Sequence, residues 1–556
     1  MTSLCRGVVV LATLLSQLAV GQGTVRVSVS SSGTQSDGPS TQASVSFDGR
    51  HVAFTSHATN LVAGDANALS DVFVRDLAAA TTVRVSVGSS GVEGNGASDQ
   101  PAVSGDGRFV AFRSLANNLV PGDTNGRADI FFHDLQAGTT VRASVTTLGA
   151  ELTNASSLPF FSQDGRYLAF LVGVSNLGAA GIYVRDTVTG VTTARITRVS
   201  PETVSRPWLS ATGSTVATWG YDVIDFGEGG YVGLVASSPS GPSGYFSFGG
   251  LTWDGPNTRT VAISADARFA VMQHDAVIGN SSIMQMNVYV RSLITGAMQC
   301  ESLTLAGDGA GAVNGTLSGD GSLVAFESSS PLLIQADTAG VRDIFVRNRV
   351  SGRTARVSGG SGALESNGHS YNAMLASDGG HVVFESDATN LVLDDSNGMR
   401  DVFLVELALS ELNIYTYCTS GTTVHGCVPS ISSTGIPSAS TPSGFNVIVN
   451  NLEGDRYGLL YYGFYSAAVP WAPSSTSFRC VSLPMQRTGV LESGGTAGQC
   501  NGHLQIDFNA WLHAHPASLG SPFVSGQVFH MQGWFRDPGA PKQTNLSNAL
   551  RFALLE

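Results

Sequence analysis

The chain has 556 residues, only 13% of them charged, and a formal net charge of −13. Lysine occurs once, at Lys542, so there is no lysine-rich patch to neutralise phosphates, and nucleic acid is excluded as an expected partner. The length calls for more than one domain, and low charge with abundant Ser, Thr and Gly fits a secreted β protein whose surface is neutral and polar.

Residues 1–21 read as a secretory signal. Arg6 supplies the basic residue, Val8 to Leu15 a short apolar core, and Ala19-Val20-Gly21 the small residues of a cleavage site. The mature chain then starts near Gln22. No second long apolar run follows, so no transmembrane segment is expected after cleavage.

From Thr24 a repeat begins. Thr24-Val-Arg-Val-Ser-Val29 returns as Thr82-Val-Arg-Val-Ser-Val87 and, slightly changed, as Thr140-Val-Arg-Ala-Ser-Val145. Asp-Gly-Arg turns at Asp48, Asp106 and Asp164 stand 58 residues apart (106−48, 164−106). Altered copies follow at Asp266, Asp320 and Asp378, and a degenerate turn near Thr212-Gly213 fills the one wide gap. That makes seven units. After most turns comes an apolar strand such as His51-Val-Ala-Phe-Thr-Ser56 or His381-Val-Val-Phe-Glu-Ser386. A third strand such as Asp71-Val-Phe-Val-Arg-Asp76 follows, and the fourth is of the Val-Arg-Val-Ser type. β-Branched and aromatic residues between Gly/Asp turns predict strands, and no long window has helical periodicity.

Four strands in each of seven units predict a seven-bladed β-propeller over residues 22–410. The array opens on what is the last strand of a unit, and the final unit, ending near Asp401-Val-Phe-Leu-Val405, lacks one. Thr24–Val29 is therefore expected to pair there and close the ring. Ser-x-Asp-Gly-Arg followed by Val-Ala-Phe and Asp-Val-Phe-Val resembles the TolB-type, WD40-like propeller repeat. The resemblance implies the fold and leaves the function open; the Gly-His and Trp-Asp marks of true WD40 repeats are missing.

The loop before the third strand carries candidate ligands. Asp65, Asn67 and Asp71 lie in the first unit, Asp123, Asn125 and Asp129 in the second, and Asp395, Asn397 and Asp401 in the last. Oxygens at alternate positions suit a hard cation such as Ca²⁺. They equally suit Asx-turns that fold a long loop. Glu93, Asn95, Glu151, Asn154, Glu365 and Asn367 sit in the inter-unit loops on the same side, so one face of the ring is expected to be oxygen-rich. The Asp-Gly-Arg turns fall on the opposite face.

Residues 415–556 lack the repeat and hold Cys418, Cys427, Cys480 and Cys500. Short loops favour the pairs Cys418–Cys427 and Cys480–Cys500, stapling a small β-sandwich. His513-Ala-His515 is a candidate metal pair on a strand, against the reading of a partly buried surface pair. Trp471, Trp511 and Trp534 are a candidate sugar platform, against the reading of core packing. Tyr417-Cys418, Gly458-Leu-Leu460, Gly494-Gly-Thr-Ala-Gly498 and Lys542-Gln-Thr-Asn-Leu-Ser-Asn548 resemble a C-terminal module of secreted bacterial proteins, notably from planctomycetes. That resemblance implies no activity.

No Gly-x-Ser-x-Gly elbow occurs, and the C-terminal segment is too short and too β-like for a hydrolase domain. The leading expectation is an exported, non-catalytic propeller that binds a protein or glycan on its loop face. The rival is a polysaccharide-active lyase or glycosidase working at the channel face.

Overall fold

The computed structural model describes residues 23–173, 180–199, 206–218, 234–236, 244–246, 261–276, 285–334, 337, 340–349, 352–359, 365–407, 414–435, 437–472, 477–524 and 527–554. The expected signal, residues 1–21, lies outside them. The described residues are all-β apart from one short helix. Up to Glu406 the described strands form seven antiparallel four-stranded sheets. The first comprises Ser40–Val45, His51–Ser56, Asp71–Asp76 and Thr81–Arg84 in sequence order, and five more follow the same meander. The seventh combines Ser370–Leu375, His381–Ser386 and Asp401–Glu406 with Thr24–Arg26. Thr24 pairs with Val405, Val25 with Leu404 and Arg26 with Phe403, as the incomplete last unit predicted.

The second and third strands of the first sheet are buried on both faces because another sheet lies against each face. This is why Val52-Ala53-Phe54 and Val72-Phe73-Val74 read as unbroken apolar runs. Across these strands Phe54 stacks on Phe73, Phe112 on Phe131, Phe326 on Phe345 and Phe384 on Phe403, with ring centroids 5.9–6.0 Å apart. Val383, Val402 and Leu404 of the seventh sheet share one apolar cluster with Val27, Val45 and Phe54, so the first and last sheets pack together.

The turns between first and second strands form as read. Asp48 Oδ1 accepts from the Arg50 amide at 3.0 Å, Ser46 Oγ accepts from the His51 amide at 2.9 Å, and Gly49 takes φ +75°. The degenerate turn at Gly213 uses Ser210 in the same way, at 3.1 Å from the Thr215 amide. Neighbouring turns also bond to one another. The amides of Phe47, Ala265 and Gly319 donate to the carbonyls of Gly105, Gly319 and Ser377, and the Asp378 amide donates to the Phe47 carbonyl.

A second set of latches lies on the first strands. Five of them bulge at a non-glycine residue held at positive φ: Gln42, Gln100, Leu158, Asn314 and Asn372. The bulge turns that residue's amide out of its own sheet, and a side-chain oxygen of the preceding sheet accepts it at 2.7–2.8 Å. The acceptors are Glu385 for Gln42, Gln42 for Gln100, Gln100 for Leu158, Gln273 for Asn314 and Glu327 for Asn372.

Beyond Ile414 a larger sheet (Ile414–Tyr417, Tyr457–Gly463, Val528–Arg536, Thr544–Ala553 and short edge strands) faces a three-stranded sheet (Ser430–Thr434, Asn446–Leu452, Gly502–Asp507). Phe445, Val449, Tyr462, Phe529 and Phe552 fill the space between them, as a sandwich requires. The disulfides are Cys418–Cys480 and Cys427–Cys500, which corrects the short-loop pairing. The bonds join cysteines 62 and 73 residues apart; Cys418 and Cys480 meet where Phe478 and Cys480 of a two-stranded sheet pack on Tyr417 and Ala549 of the larger one. His513 and His515 are also corrected: they end a helix, Phe508–Ala514, and their Nδ1 atoms bond the Asn509 and Trp511 carbonyls. The sandwich meets the Asp-Gly-Arg face. Phe47 packs on Tyr417, and Thr416 Oγ1 donates to Asp320 Oδ2 at 2.6 Å.

If the first strand completes the seventh sheet, its inner and outer residues differ sharply in weight. Val27 is fully buried and Val25 is 45% exposed. Val27→Ala is expected to cost about 2 kcal/mol in urea unfolding, and Val25→Ala within about 0.5 kcal/mol.

Candidate functional site

The loop-face acids are brought together, and each set closes on an arginine. In the first sheet the Arg84 guanidinium, at the end of the fourth strand, lies 3.3 Å from Asp65 and 3.2 Å from Asp71 and contacts Glu93. Its Nη2 donates to the Gly64 carbonyl at 3.0 Å. In the second, Arg142 meets Asp123 at 3.4 Å, Asp129 at 3.7 Å and Glu151 at 2.8 Å. In the sixth, Arg356 meets Asp337, Asp343 and Glu365 at 3.3–3.6 Å. In the seventh, Arg26 from the first strand reaches Asp395 at 3.6 Å and Asp401 at 3.7 Å. There Gln35 stands in for the glutamate, accepting from the Ser396 and Asn397 amides.

The asparagines act inside the loop. Asn67 Nδ2 donates to Asp71 Oδ2 at 3.1 Å, and its Oδ1 accepts from the Leu69 amide at 2.7 Å. Asn125 bonds Asp129 and the Arg127 amide in the same way, and Asn397 bonds Asp401 and the Met399 amide. These are the Asx-turns of the sequence reading. The carboxylate oxygens of Asp65, Asp71 and Glu93 lie within 4.8 Å of one another, as do those of Asp123, Asp129 and Glu151, with the guanidinium among them. A seryl hydroxyl two residues beyond each arginine, such as Ser86, donates to the second Asp.

Two sheets lose the set as a unit. At the positions of Asp71, Arg84 and Glu93 the fifth sheet has Asn287, Cys300 and Gly309. The third sheet has Gly181 and Ala194 at the first two. Acid and guanidinium vanish together because a buried charge left alone is costly.

Burial acts on the acids in spite of the arginines. It pushes Asp65 and Asp343 up to about 6, and it also raises Asp71, Asp123, Asp129 and Asp395.

Between the sixth and seventh sheets lies a group the sequence reading did not single out. Tyr371 is flanked by the guanidinium groups of Arg400 at 4.3 Å and Arg342 at 5.5 Å. Arg400 also binds Asp387 through two bonds of 2.7 and 2.8 Å. Behind them Glu327 and Glu385 are buried, raised by that burial, and committed to hydrogen bonds with Asn314, Asn372 and the Gln42 amide.

No family model matches the sequence, and no curated protein matches it. Among solved structures the chain is similar to the β-propeller domain of the Trilobed protease from Pyrococcus furiosus, at 10% identity over 66% of this chain and 95% of that one, TM-score 0.43. It is similar to TolB from Acinetobacter baumannii at 15% identity, TM-score 0.32, over 51% of this chain and 58% of that one. A third similarity is to the acylaminoacyl peptidase of Pyrococcus horikoshii, at 11% identity, TM-score 0.42, over 75% of this chain and 59% of that one. The chain thus spans less than two thirds of the length of the last two. Likenesses this distant concern the fold alone. Among the described residues no helix is long and apolar enough to cross a membrane.

Removing Arg84 leaves three carboxylates facing one another in a half-dry site. Arg84→Ala is expected to cost about 3 kcal/mol or more in denaturant unfolding. Arg50→Ala, which breaks the exposed pair with Asp76, should cost under about 1 kcal/mol. A second expectation concerns pH. Folding raises Asp65 from 3.8 to about 6, so in that window the folded chain binds more protons than the unfolded one, and ionising Asp65 destabilises it as pH rises. Asp65→Asn stays neutral. The stability of this variant relative to the parent should therefore grow between pH 4.5 and 7, measured in matched unfolding curves.

Proposed function

We propose that the protein is an exported, non-catalytic binding protein: a closed seven-bladed propeller over residues 22–410 that presents its loop face to a protein or glycan, with a sandwich module over residues 415–556 seated on the opposite face. Closure is supported by the pairing of Thr24–Arg26 with Phe403–Val405 and by the bond from the Asp378 amide back to Phe47. Two disulfides suit a secreted or periplasmic setting.

The observation that carries the binding reading is the state of the carboxylates. Hydrolysis or elimination on a polysaccharide needs an acid and a base that reach the substrate. Glu327 and Glu385 are buried and spent on backbone amides, carboxamides and arginines, and the loop-face acids are tied to guanidinium groups. Tyr371 stands partly exposed between the guanidinium groups of Arg342 and Arg400. Aromatic and arginine side chains are the usual anchors of a binding surface.

Calcium, on this reading, is replaced by a resident cation. Asp65, Asp71, Asp123, Asp129, Asp395 and Asp401 surround a guanidinium, and a metal ion enters only by displacing it. The arginines hold the long loops in shape so that the face is preorganised.

A glycan array and a turnover screen on the mature protein separate binder from enzyme. Retention without product is expected, and release of product from a polysaccharide overturns the reading. Changing Tyr371 and Arg400 together to Ala should weaken the retained ligand about 10-fold or more without loss of fold. Unchanged binding places the ligand elsewhere.

A further inference from the structure

The C-terminal sandwich contains a second recognition surface, on the side of its larger sheet away from the main core. A cleft of about 340 Å³ is walled by the rings of Tyr461, Trp471 and Trp534 and by Met485, with Arg479 and Arg487 among its lining side chains. This volume is that of a small-molecule site. Two of the three tryptophans singled out in the sequence therefore meet here. The third, Trp511, stacks on Phe508 in the core.

The rings are fixed before any ligand arrives. Trp471 Nε1 donates to Thr544 Oγ1 at 3.2 Å, and its backbone amide closes the hairpin to the Ser477 carbonyl at 2.9 Å. The Tyr461 hydroxyl donates to Gln532 Oε1, which also accepts from the Cys480 amide at 2.9 Å. Gln532 Nε2 in turn donates to the Phe478 and Ser547 carbonyls. The back wall is thus pinned beside the Cys418–Cys480 disulfide.

The charge is out of keeping with the rest of the chain. The net charge is −13, yet the only lysine, Lys542, lies 4.4 Å over the Trp471 ring, and two arginines line the cleft. Among the described residues none of Arg479, Arg487 and Lys542 has a carboxylate within 4.0 Å. The buried Nε of Arg479 has no hydrogen-bond partner. Elsewhere the buried arginines Arg26, Arg84, Arg142 and Arg356 also keep a nitrogen without a hydrogen bond, but each of them is ringed by acids. A buried donor left unpaired beside a cavity points to an acceptor that the ligand brings.

We propose that this cleft binds a uronic acid residue of an acidic polysaccharide. The C–H faces of the sugar ring lie against the indole rings, and its carboxylate is taken by Arg479, with Arg487 and Lys542 adding positive potential at the rim. A guanidinium offers a carboxylate two parallel donors, which a neutral sugar cannot use. The site is independent of the loop face and stands whether or not the loop face binds a ligand.

Calorimetry on the mature protein with a galacturonate tetramer tests this directly. The controls are its methyl ester as the uncharged sugar and benzoate as a carboxylate on a flat ring. Binding of the acidic tetramer is expected, at least 10-fold weaker for the ester and for benzoate, and weakening with added salt. Arg479→Gln and Trp471→Ala should each lower affinity at least 10-fold; if Arg479→Gln does not fold, Arg487→Gln, at the exposed rim, should lower it at least 3-fold. Changing Tyr371 and Arg400 to Ala should leave it unchanged. Equal binding of acid and ester, benzoate bound as tightly as the tetramer, indifference to the Arg and Trp changes, or loss through the Tyr371 and Arg400 changes would each overturn the assignment.

Discussion

A four-stranded sheet with apolar side chains on both faces cannot stand alone in water; it needs a neighbour on each side. The packing of the described sheets between residues 24 and 406 follows from meeting that demand. Val52, Phe54, Val72 and Phe73 are buried only because sheets lie on both sides of theirs. The demand is open-ended in a stack and ends only if the last sheet meets the first. Here Arg26 pairs with Phe403, and Val27 enters the cluster shared by the first and seventh sheets. Apolar packing is non-directional, so register between sheets needs polar fasteners. The bulged amides of Gln42, Gln100, Leu158, Asn314 and Asn372, each received by a side chain of the preceding sheet, supply them.

The arginine-centred acid sets solve a different problem. The connection before each third strand is long, and a long loop is expensive to order. A guanidinium on the fourth strand reaches the start of the loop, its end and the next inter-sheet connection at once. Three segments are fastened by one side chain whose planar fork of donors suits carboxylates. Where Cys300 or Ala194 replaces the arginine, the matching acid is gone as well. The same arrangement that shapes the loop face ties these acids to guanidinium groups.

The sheets were legible in the sequence because burial on both faces writes itself as continuous apolar runs, and because Asp-Gly turns need the same few residues each time. The loop acids were legible as a group, but their partner was not. Arg84 reads as one more strand residue in Val-Arg-Val-Ser. A signal was present: the arginine follows the first Asp by 19 residues in three units (84−65, 142−123, 356−337) and precedes the Glu by 9 (93−84, 151−142, 365−356). The disulfides were misread because loop length ignores the packing of one sheet on another, which sets Cys418 beside Cys480. The helix Phe508–Ala514 escaped because two turns are too short for periodicity, although Phe508, Trp511 and Leu512 fall at i, i+3 and i+4. The cleft of the sandwich had a partial signal in its tryptophans, and only the fold separates Trp471 and Trp534 from Trp511.

Native-state hydrogen exchange reads the closure most directly, because it assigns an opening free energy to each amide. The amide of Val27, which donates to the Val402 carbonyl at 2.8 Å, should exchange only with global unfolding, at the same free energy as those of Val402 and Phe403. Exchange of Val27 at the low free energy of a fraying terminus, with the 381–405 strands still protected, would contradict a ring sealed by the first strand.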